Sequence, residues 1–332
     1  MKRSSLLRPL QPFIPTAFIA ALAITGCLVA GLAVAQAGGD APRQPAAVQA
    51  DQLFLDTFHR GDYAHLQQAL EAETAAYLRN PQDAQTAAHV GWLHMWRAAE
   101  RNRLEHTPPS ITDDLVLARK YFARASALDP ADARFRGFLA SAMLAEAQLD
   151  RDDALRQQGM AVMQQAVKDW PAFNLFTAGY VASNQPADSE GFRQALELQW
   201  QDLEVCAHTR LDRHGTDLDR FSQAMRGASA GTRDARACLN SAMAPHNEEG
   251  FMLNMGDMLT KSGDWQTATK IYALAQRSPD YAQWPYREVL EQRIRDAQAN
   301  VVAFNAPGVP GQKPANPIML GSAFSCTGCH QR

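Results

Sequence analysis

Residues 252–279 read MLNMGDMLTKSGDWQTATKIYALAQRSP, and this stretch decides the fold. Apolar residues recur at three- and four-residue spacing on both sides of Gly263, which predicts two amphipathic helices joined by a tight turn. Two antiparallel helices approach closely only where one lacks a side chain, so Gly256 predicts a close crossing with Tyr272 filling the gap. Pro279 then ends the pair, because proline cannot continue a helix.

The same spacing recurs upstream, which predicts a repeat. Residues 118–130, ARKYFARASALDP, match the second helix, and residues 84–102, AQTAAHVGWLHMWRAAERN, match the first. The loop between them, RLEHTPPSITDD, is longer than the pattern expects. Weaker copies lie around Ala76 and Gly159, whereas residues 174–245 do not match cleanly.

This spacing resembles the tetratricopeptide-repeat (TPR) family over residues 51–300. The resemblance implies an all-α, TPR-like helical-repeat solenoid whose concave groove binds protein partners, and it implies no catalysis. An irregular helical bundle with alanine-rich packing is the alternative. Trp92 and Trp96 share a helix face, which fits either repeat packing or a groove wall that stacks a ligand.

Bulk composition excludes some function classes. The chain has 332 residues and a net charge of −3. It has no broad basic stripe, so we expect no nucleic-acid binding. We find no glycine-rich phosphate loop and no nucleophile motif, and no general acid or base stands out.

The N-terminus has the pattern of an export signal. Lys2 and Arg3 precede an apolar run over residues 17–35, and a small-x-small site ends at Ala37. Residues 1–37 are therefore predicted to be a signal peptide, with a polar linker over residues 38–50 and a bacterial periplasmic location. The run is also long enough to span a bilayer, and ITGC at Cys27 resembles a lipobox, so a membrane anchor and a lipoprotein are the alternatives.

The predicted export places the cysteines in a compartment where disulfides can form. Five are present, with Cys27 in the predicted signal and Cys326 and Cys329 near the C-terminus. The remaining two, Cys206 and Cys238, are expected to form a disulfide in an oxidising compartment. Two buried free thiols are the alternative.

The composition changes after the repeats. Residues 301–325 are rich in proline and glycine, which predicts an irregular linker with a small apolar island around Met319. The linker is expected to leave residues 326–332 tethered to the scaffold rather than embedded in it.

The tail carries a C-x-x-C-H motif formed by Cys326, Cys329 and His330. In c-type cytochromes, which the chain resembles only over these residues, two such thiols attach one covalent haem c and the histidine ligates its iron. Zinc would need a further ligand, and a redox pair would need a different helical context. We therefore expect one covalent haem c, with the cysteines as thioether donors and His330 as the proximal ligand.

The sequence offers several candidates for the second axial ligand of the haem iron. Met319 is the nearest candidate in the tail, and His94 and His246 are candidates in the scaffold. An open or water-bound site, or a ligand supplied by a partner, is the other expectation. These features together predict electron transfer within a periplasmic redox assembly, with the repeats binding redox protein partners. A non-redox adaptor for cytochrome maturation or assembly and a haem enzyme such as a peroxidase are the alternatives.

Overall fold

The computed structural model describes residues 43–213, 233–238, 247–308, 312–313 and 315–331. The predicted signal peptide, with Cys27, lies outside these residues, and so does His246. Among the helices described, none is both long and apolar enough to cross a membrane.

Helices account for the regular structure of the described residues, which contain no strand. The helices are α1 (Pro45–His59), α2 (Leu66–Arg79), α3 (Ala84–Ala99), α4 (Ile111–Leu128), α5 (Ala133–Asp150), α6 (Asp153–Asp169), α7 (Pro171–Ala182), α8 (Glu190–Ala207), α9 (Arg233–Cys238), α10 (Glu248–Ser262), α11 (Trp265–Ala275), α12 (Arg287–Arg295), α13 (Ala297–Asn305) and α14 (Thr327–His330).

These helices pack as consecutive hairpins. The pairs are α1/α2, α3/α4, α5/α6, α7/α8 and α10/α11, and α1 also contacts α3 as α5 contacts α7. In these two places the first helices of successive pairs lie side by side, as in a solenoid. The prediction of an all-α helical-repeat fold is confirmed.

Glycine sets the closest helix contacts, as the sequence predicted. A Cβ atom on Gly256 would lie 2.1 Å from Cε1 of Tyr272, so only glycine lets α10 meet α11 at this distance. A Cβ atom on Gly91 would lie 3.0 Å from the ring of Phe122, at the equivalent crossing of α3 and α4. Both aromatic rings are fully buried.

The predicted boundaries need correction in three places. Helix α1 begins at Pro45, inside the expected linker, because proline is well placed in a first helical turn. Helix α13 continues to Asn305, so the irregular segment begins later than residue 301. Helices α7 and α8 form a hairpin where the repeat pattern was not recognised. Cys206 and Cys238, the pair predicted from the sequence, form a disulfide with Cα atoms 5.6 Å apart.

Candidate functional site

The C-terminal segment, residues 315–331, packs against the first helices of the hairpins. Helix α14 contacts α1 and α10, and the Tyr180 hydroxyl of α7 donates to the carbonyl of Ser325. Cys326 is 9% exposed and Cys329 3%. The expectation of a tail merely tethered outside the scaffold is therefore wrong. Irregular backbone can be buried here because scaffold side chains satisfy its polar groups.

Glu100, which directly follows α3, provides the main polar contact between the scaffold and the C-terminal segment. Its Oε1 atom accepts hydrogen bonds from the backbone N–H groups of Cys326 (2.9 Å) and Thr327 (2.8 Å), and from the Thr327 hydroxyl (3.0 Å). Its Oε2 atom accepts from Nε1 of Trp96 at 2.9 Å. The carboxylate thus lies at the N-terminus of the motif's helical turn, where unpaired N–H groups favour a negative charge.

Arg103 compensates this buried charge. Its Nε atom lies 2.7 Å from Oε2 of Glu100 and also donates to the carbonyl of Ala323. Its Nη2 atom donates to the Thr327 hydroxyl at 2.9 Å, and the Tyr286 hydroxyl lies 2.7 Å from the same oxygen. Charge pairing and full hydrogen bonding are the conditions under which a buried ion pair is stable.

A second ion pair holds the start of the segment. Nε of Arg293 lies 3.0 Å from Oδ1 of Asp257, and both side chains are buried. The other carboxylate oxygen of Asp257 accepts from the backbone N–H of Met319 at 2.8 Å. Arg293 also donates to the side chain of Asn316 and to the carbonyl of Pro317. The apolar island around Met319 is thereby fixed against α10.

The motif's turn lies directly against the first residues of α10. A Cβ atom on Gly250 would lie 2.5 Å from the carbonyl oxygen of Gly328 and 2.8 Å from Sγ of Cys329. The indole N–H of Trp284 donates to that carbonyl at 3.0 Å, and the N–H of Asn247 donates to the carbonyl of Cys329 at 2.7 Å. Close contact and hydrogen bonding together fix the turn on α10.

The two thiols and the histidine share one helical turn. The N–H groups of Cys329 and His330 both bond to the carbonyl of Cys326 at 3.2 Å, so the three residues are neighbours within one turn. Cys326 packs in a cluster with α1 and α3, whereas Cys329 packs with Met319 in the cluster around α10. Burial raises the pKa of both thiols, and the negative charge of Glu100 adds to the effect at Cys326.

The His330 ring is half-buried against two aromatic side chains. Its centroid lies 4.8 Å from the ring of Phe58 and 5.5 Å from that of Trp92. Trp96, one turn further along α3, is fully buried and meets Phe58 edge-on at 4.9 Å. The shared face of the two tryptophans therefore forms a wall beside the motif, and it packs in the core at the same time.

The candidate axial ligands lie in different places. His94 is buried on α3, and its Nδ1 atom lies 2.6 Å from Oδ1 of Asp114. Two residues along a helix turn the side chain by roughly 200°, so His94 faces away from the side on which Trp92 meets the tail. Met319 is fully buried beside the motif, with its Cε atom 2.4 Å from where a Cβ atom on Gly328 would lie. Of the described candidates, only Met319 contacts the motif's turn.

Sequence reasoning missed the residues that position the motif. Glu100, Arg103, Asp257 and Arg293 belong to no recognisable motif, and their roles arise from contacts across long sequence separations. The one available signal was the long loop after α3, which interrupts the repeat pattern. That loop begins with Arg103, three residues after Glu100.

The chain matches no protein-family model and no curated protein sequence. A pocket of about 650 Å³ lies beside residues 321–324, but neither the two thiols nor His330 line it. The chemistry of the motif therefore rests on its own donor set: two thiols and one imidazole on a single turn.

Proposed function

We propose that the chain is an exported TPR-like protein that carries one covalent haem c on its C-terminal turn and transfers electrons. The observation that carries the proposal is the C-x-x-C-H turn, held against the solenoid by the carboxylate of Glu100. Such a turn supplies two thioether donors, Cys326 and Cys329, and one proximal imidazole, His330. Haem c supplies reversible one-electron chemistry when bound.

The donor set fits this cofactor. The three donors lie within a single turn, which brings them close enough together to serve one macrocycle. Phe58 and Trp92 offer apolar rings to a flat apolar group beside His330. Glu100 and Thr327 fix the start of the turn, and hence the orientation of the histidine.

Attachment and docking follow in a fixed order under this proposal. Both thiols are buried and their pKa values are raised, so the docked turn presents little thiolate at neutral pH. Cys326 and Cys329 would therefore be available to hold the group as thioethers only while the tail is undocked. The repeats then serve first to hold the tail, and a redox protein partner meets the assembled surface around it.

The test is to express the full chain with a cytochrome c maturation system in an exporting bacterium. Intact mass and a pyridine haemochrome spectrum are expected to show one haem per chain. Cys326→Ala combined with Cys329→Ala should abolish covalent haem, whereas the control His94→Gln should retain it. Stopped-flow mixing with a reduced small electron carrier should reduce the haem.

Two results would contradict the proposal. A wild-type mass without haem would remove the cofactor. A haem that turns over peroxide rapidly, but exchanges electrons slowly with protein carriers, would favour a peroxidase instead. Met319→Leu separates the axial-ligand alternatives, because an open sixth site leaves the ferric spin state unchanged in this variant.

A further inference from the structure

A second cluster of metal-binding side chain types lies at the N-terminal end of the solenoid. Asp51 of α1, Glu73 of α2 and His89 of α3 meet there. Nδ1 of His89 lies 2.8 Å from Oδ1 of Asp51 and 3.0 Å from Oε1 of Glu73. One ligand atom from each residue falls within 4.8 Å of the others.

The charges in this cluster do not balance. Arg43 pairs with Asp51 and, at 2.8 Å, with Asp83. With Glu73 ionised, three carboxylates face Arg43 and one imidazole, so a negative charge remains even if His89 is protonated. Such an excess is costly in a buried site.

An oxygen in the cluster also lacks a partner. The Glu73 side chain is fully buried, and its Oε2 atom has no hydrogen bond to any part of the chain that the structure describes. Buried carboxylate oxygens are normally satisfied, so this atom calls for a ligand. The other histidine of α3 that pairs with a carboxylate is His94. Among the described residues it contacts one carboxylate, that of Asp114 on α4, and it serves as an internal contrast.

We propose that Asp51, Glu73 and His89 bind a divalent transition metal ion, with zinc as the best match. One imidazole nitrogen and two carboxylate oxygens are ligand types that zinc accepts, whereas calcium and magnesium prefer oxygen alone. The ion takes the place of the proton between His89 and the carboxylates, balances the excess charge and gives Oε2 of Glu73 a partner. Three protein ligands leave a fourth position for water.

The metal would join the first three helices of the solenoid. The His89 ring lies 4.6 Å from Phe54, which stacks on Phe58 at 5.5 Å. Phe58 in turn contacts His330. Metal binding thus fixes the helices that form one wall beside the C-terminal turn.

The test uses the full chain after treatment with EDTA. Equilibrium dialysis against zinc sulfate, followed by metal analysis, is expected to give one tightly bound zinc per chain. Glu73→Gln and His89→Gln should each weaken binding at least about tenfold. His94→Gln should leave it unchanged. Circular dichroism in EDTA checks that each variant is folded.

X-ray absorption at the zinc edge separates this site from the cysteines and does not depend on any variant. Nitrogen and oxygen ligands are expected, without sulfur. The absence of stoichiometric zinc, a sulfur-ligated zinc, or equal binding by folded Glu73→Gln and His89→Gln would each overturn the proposal. None of these outcomes bears on whether haem is attached.

Discussion

Two fully buried glutamates mark the two sites, and they differ in how well they are satisfied. Glu100 accepts hydrogen bonds on both oxygens from the motif's turn, Trp96 and Arg103. Glu73 accepts from His89, and its Oε2 atom has no hydrogen-bond partner among the residues that the structure describes. Burial by itself therefore does not reveal the role of a carboxylate. A satisfied carboxylate fixes a structure, and an unsatisfied one calls for an explanation, such as the metal ion proposed for Glu73.

Isosteric substitution tests this comparison most strongly. Glu100→Gln replaces one acceptor oxygen by an amide NH2 group that cannot accept, and it removes the charge that pairs with Arg103. We expect a loss of about 2–4 kcal/mol in the free energy of unfolding. Glu73→Gln, measured in EDTA, should change it by less than about 1 kcal/mol, because the lost charge was in excess.

Urea denaturation of both variants provides the measurement. If the two substitutions lowered the free energy of unfolding by similar amounts, the difference in hydrogen bonding between Glu100 and Glu73 would have no effect on stability. Glu105→Gln, an exposed substitution in the loop after α3, serves as the control and should have little effect.

Steric fit at the docked turn gives the next largest effect. Gly250→Ala places a methyl group against the backbone of Gly328, so either α10 or the turn has to move. We expect a loss of about 1–3 kcal/mol. Gly308→Ala is the matched control, because apart from its chain neighbours no atom of the described residues lies within 4 Å of the added methyl group. Equal stability of the two variants would mean that the turn does not dock against α10.

Lys261, a buried cation, is expected to make the free energy of unfolding depend on pH. The Lys261 ammonium donates to the carbonyls of Ser183 (3.0 Å) and Gln185 (2.7 Å), and burial lowers its pKa from 10.5 to about 8. Between these two values the unfolded chain binds more protons than the folded one. Stability from this group therefore rises as the pH increases from about 8 to 10.5.

The expected rise is roughly 1–2 kcal/mol, and it should be absent in Lys261→Met. The quantity to compare is the difference in the free energy of unfolding between wild type and variant, measured from pH 7 to pH 10.5. A difference that stays constant over this range would show that Lys261 keeps its usual pKa in the folded chain.

The smallest effect concerns one hydroxyl at the motif. Tyr286→Phe removes the contact to Thr327 and should make local opening of the turn easier by about 1 kcal/mol. In haem-free protein, native-state alkylation of Cys326 and Cys329 should then be about fivefold faster. Tyr281→Phe, whose hydroxyl lies 3.4 Å from exposed Glu291, is the control. Equal alkylation rates in the two variants would place the opening motion elsewhere.

Much of the fold could be read from local patterns. Gly256 with Tyr272 predicted the close crossing of one hairpin, because such a crossing depends on residues at fixed spacing. The docking of the tail could not be read in this way. Proline and glycine in the linker indicate an irregular backbone, but they do not show whether scaffold side chains will satisfy and bury it.

The sequence by itself determined the all-α repeat and the C-x-x-C-H donor set, because helix periodicity and donor spacing are properties of neighbouring residues. Only the tertiary structure decided where that motif lies and which polar groups serve it. Glu100 meets the N–H of Cys326 across a separation of 226 residues, and Glu73 meets His89 from another helix. Such contacts depend on how whole helices stack, and no local pattern encodes which charges that stacking buries together.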